Sequence, residues 1–323
     1  MGTDYTIDEK SSILLNVHWE QRNAERDVDF KSEQSLYGQP EKTYTDKNFF
    51  RSGNSAYGID LGYRYDIEKN KTRLDIAGSY GRGQTDDNDR YTGETTEPGQ
   101  DSGTRNTSRN ERNEEHFYVS ARTDYSTKFG DLDQYNYEMG VKFDHVFLHN
   151  MNTFEHFDPA MQLFETDPAL STDFDYRENT YAGYASISSS GGRLKYSAGI
   201  RLEHTRTSSH VKTEQQQQVN SFFNIMPVAS VKYMIDKRQT SNINLSYRKG
   251  YSLPPYMQLN PFENYVNSNT LRRGNPDLEQ SIFHLISLGV TLKNRYFLTW
   301  SSNYYTDVIE VAETMEDETN IIS

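Results

Sequence analysis

The 323-residue sequence contains no cysteine, which excludes a disulfide framework, a thiolate zinc site and a cysteine nucleophile. It also lacks a basic excess: 34 Lys and Arg stand against 47 Asp and Glu, for a formal net charge of −13. A chain of that sign repels a phosphate backbone, so no nucleic acid is expected among its partners. Long apolar runs are missing too. The uncharged stretch from Ser281 to Leu292, with His284 inside it, is far shorter than the roughly 20 apolar residues of a membrane-crossing helix. The opening Met1-Gly2-Thr3-Asp4 has no basic region, apolar core or small-residue cleavage site, so no signal peptide is expected there. Gly-x-Ser-x-Gly, His-Glu-x-x-His, Walker and dinucleotide motifs are absent, and neither enzymatic activity nor a cofactor is expected.

What the chain does have is aromatic residues. Two Trp, 24 Tyr and 16 Phe sit in a sequence of strongly polar mean hydropathy, −0.90. An outer-membrane β-barrel reconciles the two facts. Only alternate side chains of its strands face lipid, and Tyr gathers at the interfaces, so average hydropathy never resembles that of a membrane protein.

Alternation is clean where it can be tested. Tyr57, Ile59, Leu61, Tyr63, Tyr65 and Ile67 share one face, opposite Gly58, Asp60, Gly62, Arg64 and Asp66. Tyr135, Tyr137, Met139, Val141, Phe143 and Phe147 repeat the pattern, as do Leu194, Tyr196, Ala198, Ile200 and Leu202, and then Ile243, Leu245 and Tyr247. Eleven strands are expected, near 11–20, 55–67, 71–82, 114–128, 132–148, 179–189, 193–206, 221–235, 240–251, 280–293 and 296–309. Long connectors (21–54, 83–113, 149–178, 207–220, 252–279) alternate with short ones (68–70, 130–131, 190–192, 236–238, 294–295). The predicted fold is all-β, an antiparallel up-and-down transmembrane β-barrel with short turns at one rim and long loops at the other. A soluble sandwich with one wet face would alternate likewise, but the loop alternation and the strand length favour the barrel.

Charge is concentrated in two places. Residues 149–178 carry seven acids and one base, and 307–318 carry six acids and no base, so the strands themselves are close to neutral. Both runs read as solvated loops. The segment from Asp86 to Glu94 has many oxygen ligands without the spacing of a calcium loop, and His149, Glu155, His156 and Asp158 read as polar loop residues, so no metal is expected.

The segment from Arg248 through Ser252-Leu253-Pro254-Pro255-Tyr256 to Phe262, followed by Gly274-Asn275-Pro276-Asp277-Leu278, resembles the late-barrel signature of TonB-dependent outer-membrane receptors. Their outer-membrane β-barrel family is the nearest likeness. Phe174 to Ala185 and Ile225 to Val231 look like earlier strands of the same family, and the similarity covers roughly 170–310. Glu279-Gln280 departs from the Pro-Glu pair usual after the Gly-Asn-Pro turn. Proline cannot donate to a ladder, so Pro254, Pro255 and Pro261 end a strand, and Gly274-Asn275-Pro276 turns the chain back.

The resemblance implies a receptor of about 22 strands with a plug in its lumen, and therefore that 1–323 is a single partial barrel domain, with the plug and TonB-contacting segment lying elsewhere in a longer chain. It implies energised import, with outer-membrane lipid and the TonB complex as partners and an extracellular ligand that is a glycan, a peptide or a metal chelate. A passive porin-like or structural barrel presenting loops to partners is the alternative. Capture is expected in the long loops, with Phe154, Phe157, Phe164, Tyr256 and Tyr265 as the candidate ligand-binding aromatics, and the barrel wall is expected to be passive.

Overall fold

The computed structural model describes residues 2–34, 42–96, 104–130, 132–213, 216–259, 263–267, 270–312, 315–316 and 321–322. Its elements are β1 (Gly2–Thr6), β2 (Ser11–Gln34), β3 (Lys42–Glu68), β4 (Thr72–Thr96), β5 (Thr104–Phe129), β6 (Tyr135–Asp158), β7 (Leu163–Thr166), β8 (Thr172–Ser189), β9 (Leu194–Val211), β10 (Gln216–Met234), β11 (Asn242–Ser252), the short helix α1 (Tyr256–Leu259), β12 (Glu263–Asn267), β13 (Thr270–Arg273), β14 (Ser281–Leu292), β15 (Tyr296–Thr306), β16 (Met315–Glu316) and β17 (Ile321–Ile322). Thirteen of the strands form one antiparallel meander, with β7 paired on β6 and with β1 and β15 as its edges; β12, β13, β17 and β16 form a second, small sheet. The sheet is not closed on itself among the described residues.

All eleven expected strands are present, as β2–β6, β8–β11, β14 and β15, and the short β1 and β7 add to them. Their lengths differ from expectation. The strands β2 to β6 run 24 to 27 residues, so most of 21–54 and 83–113 is sheet and not loop. Past the apolar band neither face of these hairpins meets lipid, and no long apolar alternation marks the strand, while the ladder itself continues unbroken.

Register decides which residues share a face. Ile13 pairs with Tyr63, Tyr63 with Ile76, Ile76 with Thr123 and Thr123 with Val141. From Val141 the row passes through Gly183, Leu202 and Ile225. Leu61, Tyr63, Val141, Phe143, Tyr196 and Ile200 therefore lie on one face, and Arg64, Lys142, Lys195 and Arg201 lie on the other. Much of the apolar face is exposed: Leu61, Val141, Ile200, Leu245 and Trp300 keep between 46% and 61% of their surface. From Tyr57 to Ile67 the band covers roughly 34 Å of strand, which at a tilt of about 45° is roughly 24 Å, the height of the lipid-facing belt of an outer-membrane barrel. Aromatic pairs border it. Phe129 stacks on Tyr135 toward the short-turn rim, while Tyr57–Tyr80 and Phe117–Phe147 lie toward the long-hairpin rim.

The polar face holds its charges in pairs. Asp75 binds both Arg64 (2.9 Å) and Arg73 (2.7 Å), and Lys142 lies 2.8 Å from Asp144. The short turns are tight: Lys293 and Asn294 both have positive φ, and Arg295 N–H bonds Leu292 C=O at 3.0 Å, which is a type I′ hairpin turn. It is centred one residue before the expected 294–295.

Candidate functional site

Above the apolar band, the inner face carries a buried apolar cluster. Leu148 of β6, Phe174 and Tyr176 of β8, and Val211 of β9 form a buried cluster that also contains Leu259 of α1. All four strand residues have inward register, so α1 has folded over the polar face and not out into solvent. The signature segment explains this path. Pro254 is buried, Pro255 C=O caps α1 by accepting from Gln258 N–H at 2.8 Å, and Asn275 N–H bonds Gln258 C=O at 2.6 Å. Asn275 Oδ1 then accepts from Asp277 N–H at 2.9 Å, closing the predicted turn, and Leu278 packs back on the cluster. Gln280, the departure from the family pattern, exchanges amide hydrogen bonds with the buried Asn224 at 2.9 and 3.0 Å.

Beneath residues 253–256 lies a cavity of about 770 Å3, walled by β6, β8, β9, β10, β11 and β14. Its charged lining is Glu178, Arg201, Glu203, Arg248 and Lys249, and its rings are Tyr176, Tyr251, Tyr256 and Phe283. Arg201 pairs with Glu203 along β9, and Arg248 lies over the Phe283 ring at 5.4 Å. The β10–β11 ladder ends at Val228 and Arg248, and past it the Tyr251 hydroxyl swings in to bond Glu203 and Thr205. Charged and aromatic groups lining one open concavity can stack on and hydrogen-bond a polar ligand.

The candidate aromatics do not form one surface. Phe154 is inward and buried, and Tyr256 donates its hydroxyl hydrogen bond to Glu114 on the inner face. Phe157 and Phe164 pair edge-on at 5.3 Å on the opposite face, with the Arg109 guanidinium 4.5 Å above Phe164 and also bound to Glu155. Tyr265 belongs to β12, and its side chain lies outside the described residues.

The acidic segment 149–178 is not a solvated loop, because most of it is β6, β7 and β8. Most of its carboxylates are partnered. His149 meets Asp175 at 2.8 Å and Asp173 at 3.5 Å, and Lys212 Nζ sits between the two acids at 2.9 and 3.1 Å, where a cation would otherwise stand. Burial works against the Asp175 charge, but the hydrogen bonds from His149 and Lys212 outweigh it and hold its carboxyl below the usual range. Glu155, His156 and Asp158 are not part of that cluster, and Asp158 instead caps the turn at Ala160 and Met161. Asp86 to Glu94 is strand, so its carboxylates alternate between faces and do not converge on an ion.

Sequence reasoning missed a second inner network. Asp87 binds Arg112, Asn150 Nδ2 bonds Glu114 at 3.4 Å, and Tyr91 bonds Asp89 at 3.3 Å. Burial, and then the neighbouring Asp87, push the Asp89 carboxyl up to about 6. Only strand register reveals that these residues meet.

The sequence profile of the outer membrane protein beta-barrel family matches residues 65–323. No curated protein sequence matches the chain. Among solved structures, the ferric-catecholate import receptor Fiu from K12 E. coli, in a closed form, aligns at 11% identity with a TM-score of 0.50, covering 98% of this chain and 57% of that one. The ferric citrate transporter FecA in its unliganded form is 13% identical with a TM-score of 0.49, over 90% of this chain and 45% of its own. A double mutant of the Serratia marcescens hemophore receptor HasR, in complex with its hemophore HasA and heme, is 10% identical with a TM-score of 0.47, over 98% and 54%. The chain thus spans about half the length of these receptors. The likeness to Fiu supports the barrel architecture that the meander, the apolar band and the paired inner charges describe. With the family profile covering most of its length, the chain belongs to the outer membrane protein beta-barrel family, and its strands cross the outer membrane.

Proposed function

We propose that this chain is the barrel portion of a TonB-dependent receptor, which captures a ligand at the long-hairpin rim and passes it inward through the lumen. In this reading the long-hairpin rim faces the medium. The 323 residues form one barrel domain, and the plug and TonB-contacting segment belong to the remainder of a longer receptor. The wall positions and loops bind and do no covalent chemistry.

One observation carries the reading: residues 253–259 fold onto the inner wall and roof a cavity lined with charge and aromatic rings. Such a segment narrows the lumen beside a lined cavity, which suits an importer that holds its ligand before passage.

Uptake tests it. Cells carrying the full-length parent protein as the sole route would be offered radiolabelled glycan, peptide and iron-chelate growth substrates, with and without TonB. Binding at the surface in both strains, and accumulation only with TonB, is the expected result. Equal accumulation without TonB would assign the chain to the passive barrel.

A further inference from the structure

Five buried side-chain atoms among the described residues have no hydrogen-bond partner: Asp87 Oδ1, Asn110 Oδ1, Arg112 Nε, Asn152 Oδ1 and Thr172 Oγ1. Four of them share a single rung of the sheet. Asp87 of β4 pairs with Arg112 of β5, Arg112 with Asn152 of β6, and Asn152 with Thr172 of β8. Asn110 stands one inward step further along β5, opposite Asp89. All five lie on the inner face by strand alternation. Asp87, Asn152 and Thr172 retain only 7%, 4% and 3% of their surface. Folded proteins satisfy nearly all buried polar atoms, and exceptions left by loose packing would be scattered; here they line up across four neighbouring strands.

Two segments cover this row: at its β6 end Leu170 C=O accepts from Asn152 Nδ2 at 3.1 Å, and toward β5 lies α1. The Tyr256 hydroxyl bonds Glu114, one inward step along β5 from Arg112, and Tyr256 lies near enough to feel the charges of Arg112 and Asp87. Removing the cover would present an unfilled polar strip to the lumen.

The strip's chemistry selects among ligands. Asp87 to Thr172 crosses three strand gaps, roughly 14 Å, so no single cation with oxygen contacts of about 2.5 Å satisfies it. Arg112 in the middle repels a cation further, and Asp87, Asp89 and Glu114 repel an anion. Along the rung the unused groups read acceptor, donor, acceptor, and either. Hydroxyl groups fit that order because each both donates and accepts. Aromatic faces flank the strip as well: Tyr91 follows Asp89 on the same face of β4, and Phe154 is the register partner of Asn110. Rings beside hydrogen-bonding side chains suit the alternately apolar and hydroxylated surface of a sugar.

We propose that this row is a binding site for a neutral, hydroxyl-rich oligosaccharide, covered in this structure by residues 253–259 and by the connector at 167–171. The proposal rests on the import reading above and names the ligand class for it.

The purified full-length receptor in detergent would be applied to an array of neutral oligosaccharides, peptides and ferric chelates. Retention of a neutral oligosaccharide is expected, with Kd raised about tenfold or more by Asn110→Leu or Thr172→Val. Phe223→Ala, on the outward face at 64% exposure, should leave Kd unchanged. A second readout separates a ligand site from a structural one. Thr172→Val removes an unpaired buried hydroxyl without changing shape, so it should raise the Tm of the unliganded receptor while weakening sugar binding. Failure to retain any neutral oligosaccharide, unchanged affinity in both row variants, or a lowered Tm for Thr172→Val would overturn the proposal. Retention of a peptide or chelate, lost in the same variants, would replace the sugar while leaving import standing; the TonB-dependence of uptake is read separately and bears on import alone.

Discussion

Tyr256 donates its hydroxyl hydrogen bond to Glu114, a residue 142 positions earlier in the chain, and so ties a connector to the inner wall five sheet strands away from the strand it leaves. A hydrogen bond to a carboxylate contributes about 1.5–3 kcal/mol. Tyr256→Phe keeps the ring against Tyr176 and removes only that bond. Amide exchange across residues 253–259 should then speed up about 10- to 100-fold, with barrel migration on gels unchanged. Unaltered exchange would mean that apolar packing alone holds the segment.

Asp89 supplies a pH test. Its folded-state carboxyl titrates near 6, above the ordinary 3.8, because burial and Asp87 disfavour its charge. The native state therefore holds a proton that the unfolded chain has released, and stability falls as pH rises from about 4 through 6. Asp89→Asn should be more stable than the wild type at pH 7.5, and the gap should close by pH 4. Paired denaturant midpoints at the two pH values check the sign.

Gly140 is required by a close approach. Tyr184 reaches across it to bond Asp124, its neighbour-but-one on the same rung. A Cβ at Gly140 would lie 2.6 Å from Tyr184 Oη and 2.7 Å from both Asp124 Oδ1 and the Thr123 carbonyl. Gly140→Ala should cost about 1–3 kcal/mol in folding into lipid vesicles. Tyr184→Phe should not fully rescue it, because the Thr123 contact is backbone.

The two faces should differ in their tolerance of charge. Val141→Arg places a guanidinium on the lipid face near mid-band and should cost about 2–4 kcal/mol. Lys142→Gln, one residue along on the inner face, loses a partly exposed pair with Asp144 and should cost less than about 1 kcal/mol. Equal costs would contradict the face assignment.

Much of the wall was legible because lipid imposes a period of two: Tyr57 to Ile67 and Tyr135 to Phe147 announce their faces directly. Residues 83–96 did not, since Thr85, Asp87 and Asp89 alternate with residues as polar as themselves, and a strand whose buried face is itself polar leaves no apolar signature. The candidate site was legible in part. Tyr256 stands out as an aromatic after two prolines, but its inward path depends on Leu259 meeting Leu148 and Phe174, contacts that no local pattern encodes. The row from Asp87 to Thr172 is fixed by the register of three strand pairs, and the pairing of His149 with Asp175 in place of Glu155 or His156 has the same origin.

Sidedness is the claim on which capture, passage and the role of the roof all depend. Single cysteines placed at Gly93, Gln217 and Gly191 of the full-length receptor, in a sequence with no cysteine of its own between residues 1 and 323, would be exposed to a membrane-impermeant maleimide on intact cells. Gly93→Cys and Gln217→Cys should label, and Gly191→Cys, in a short turn, should label only after the outer membrane is opened. Labelling of Gly191→Cys on intact cells, with Gly93→Cys and Gln217→Cys silent, would place the long hairpins inside and contradict the account.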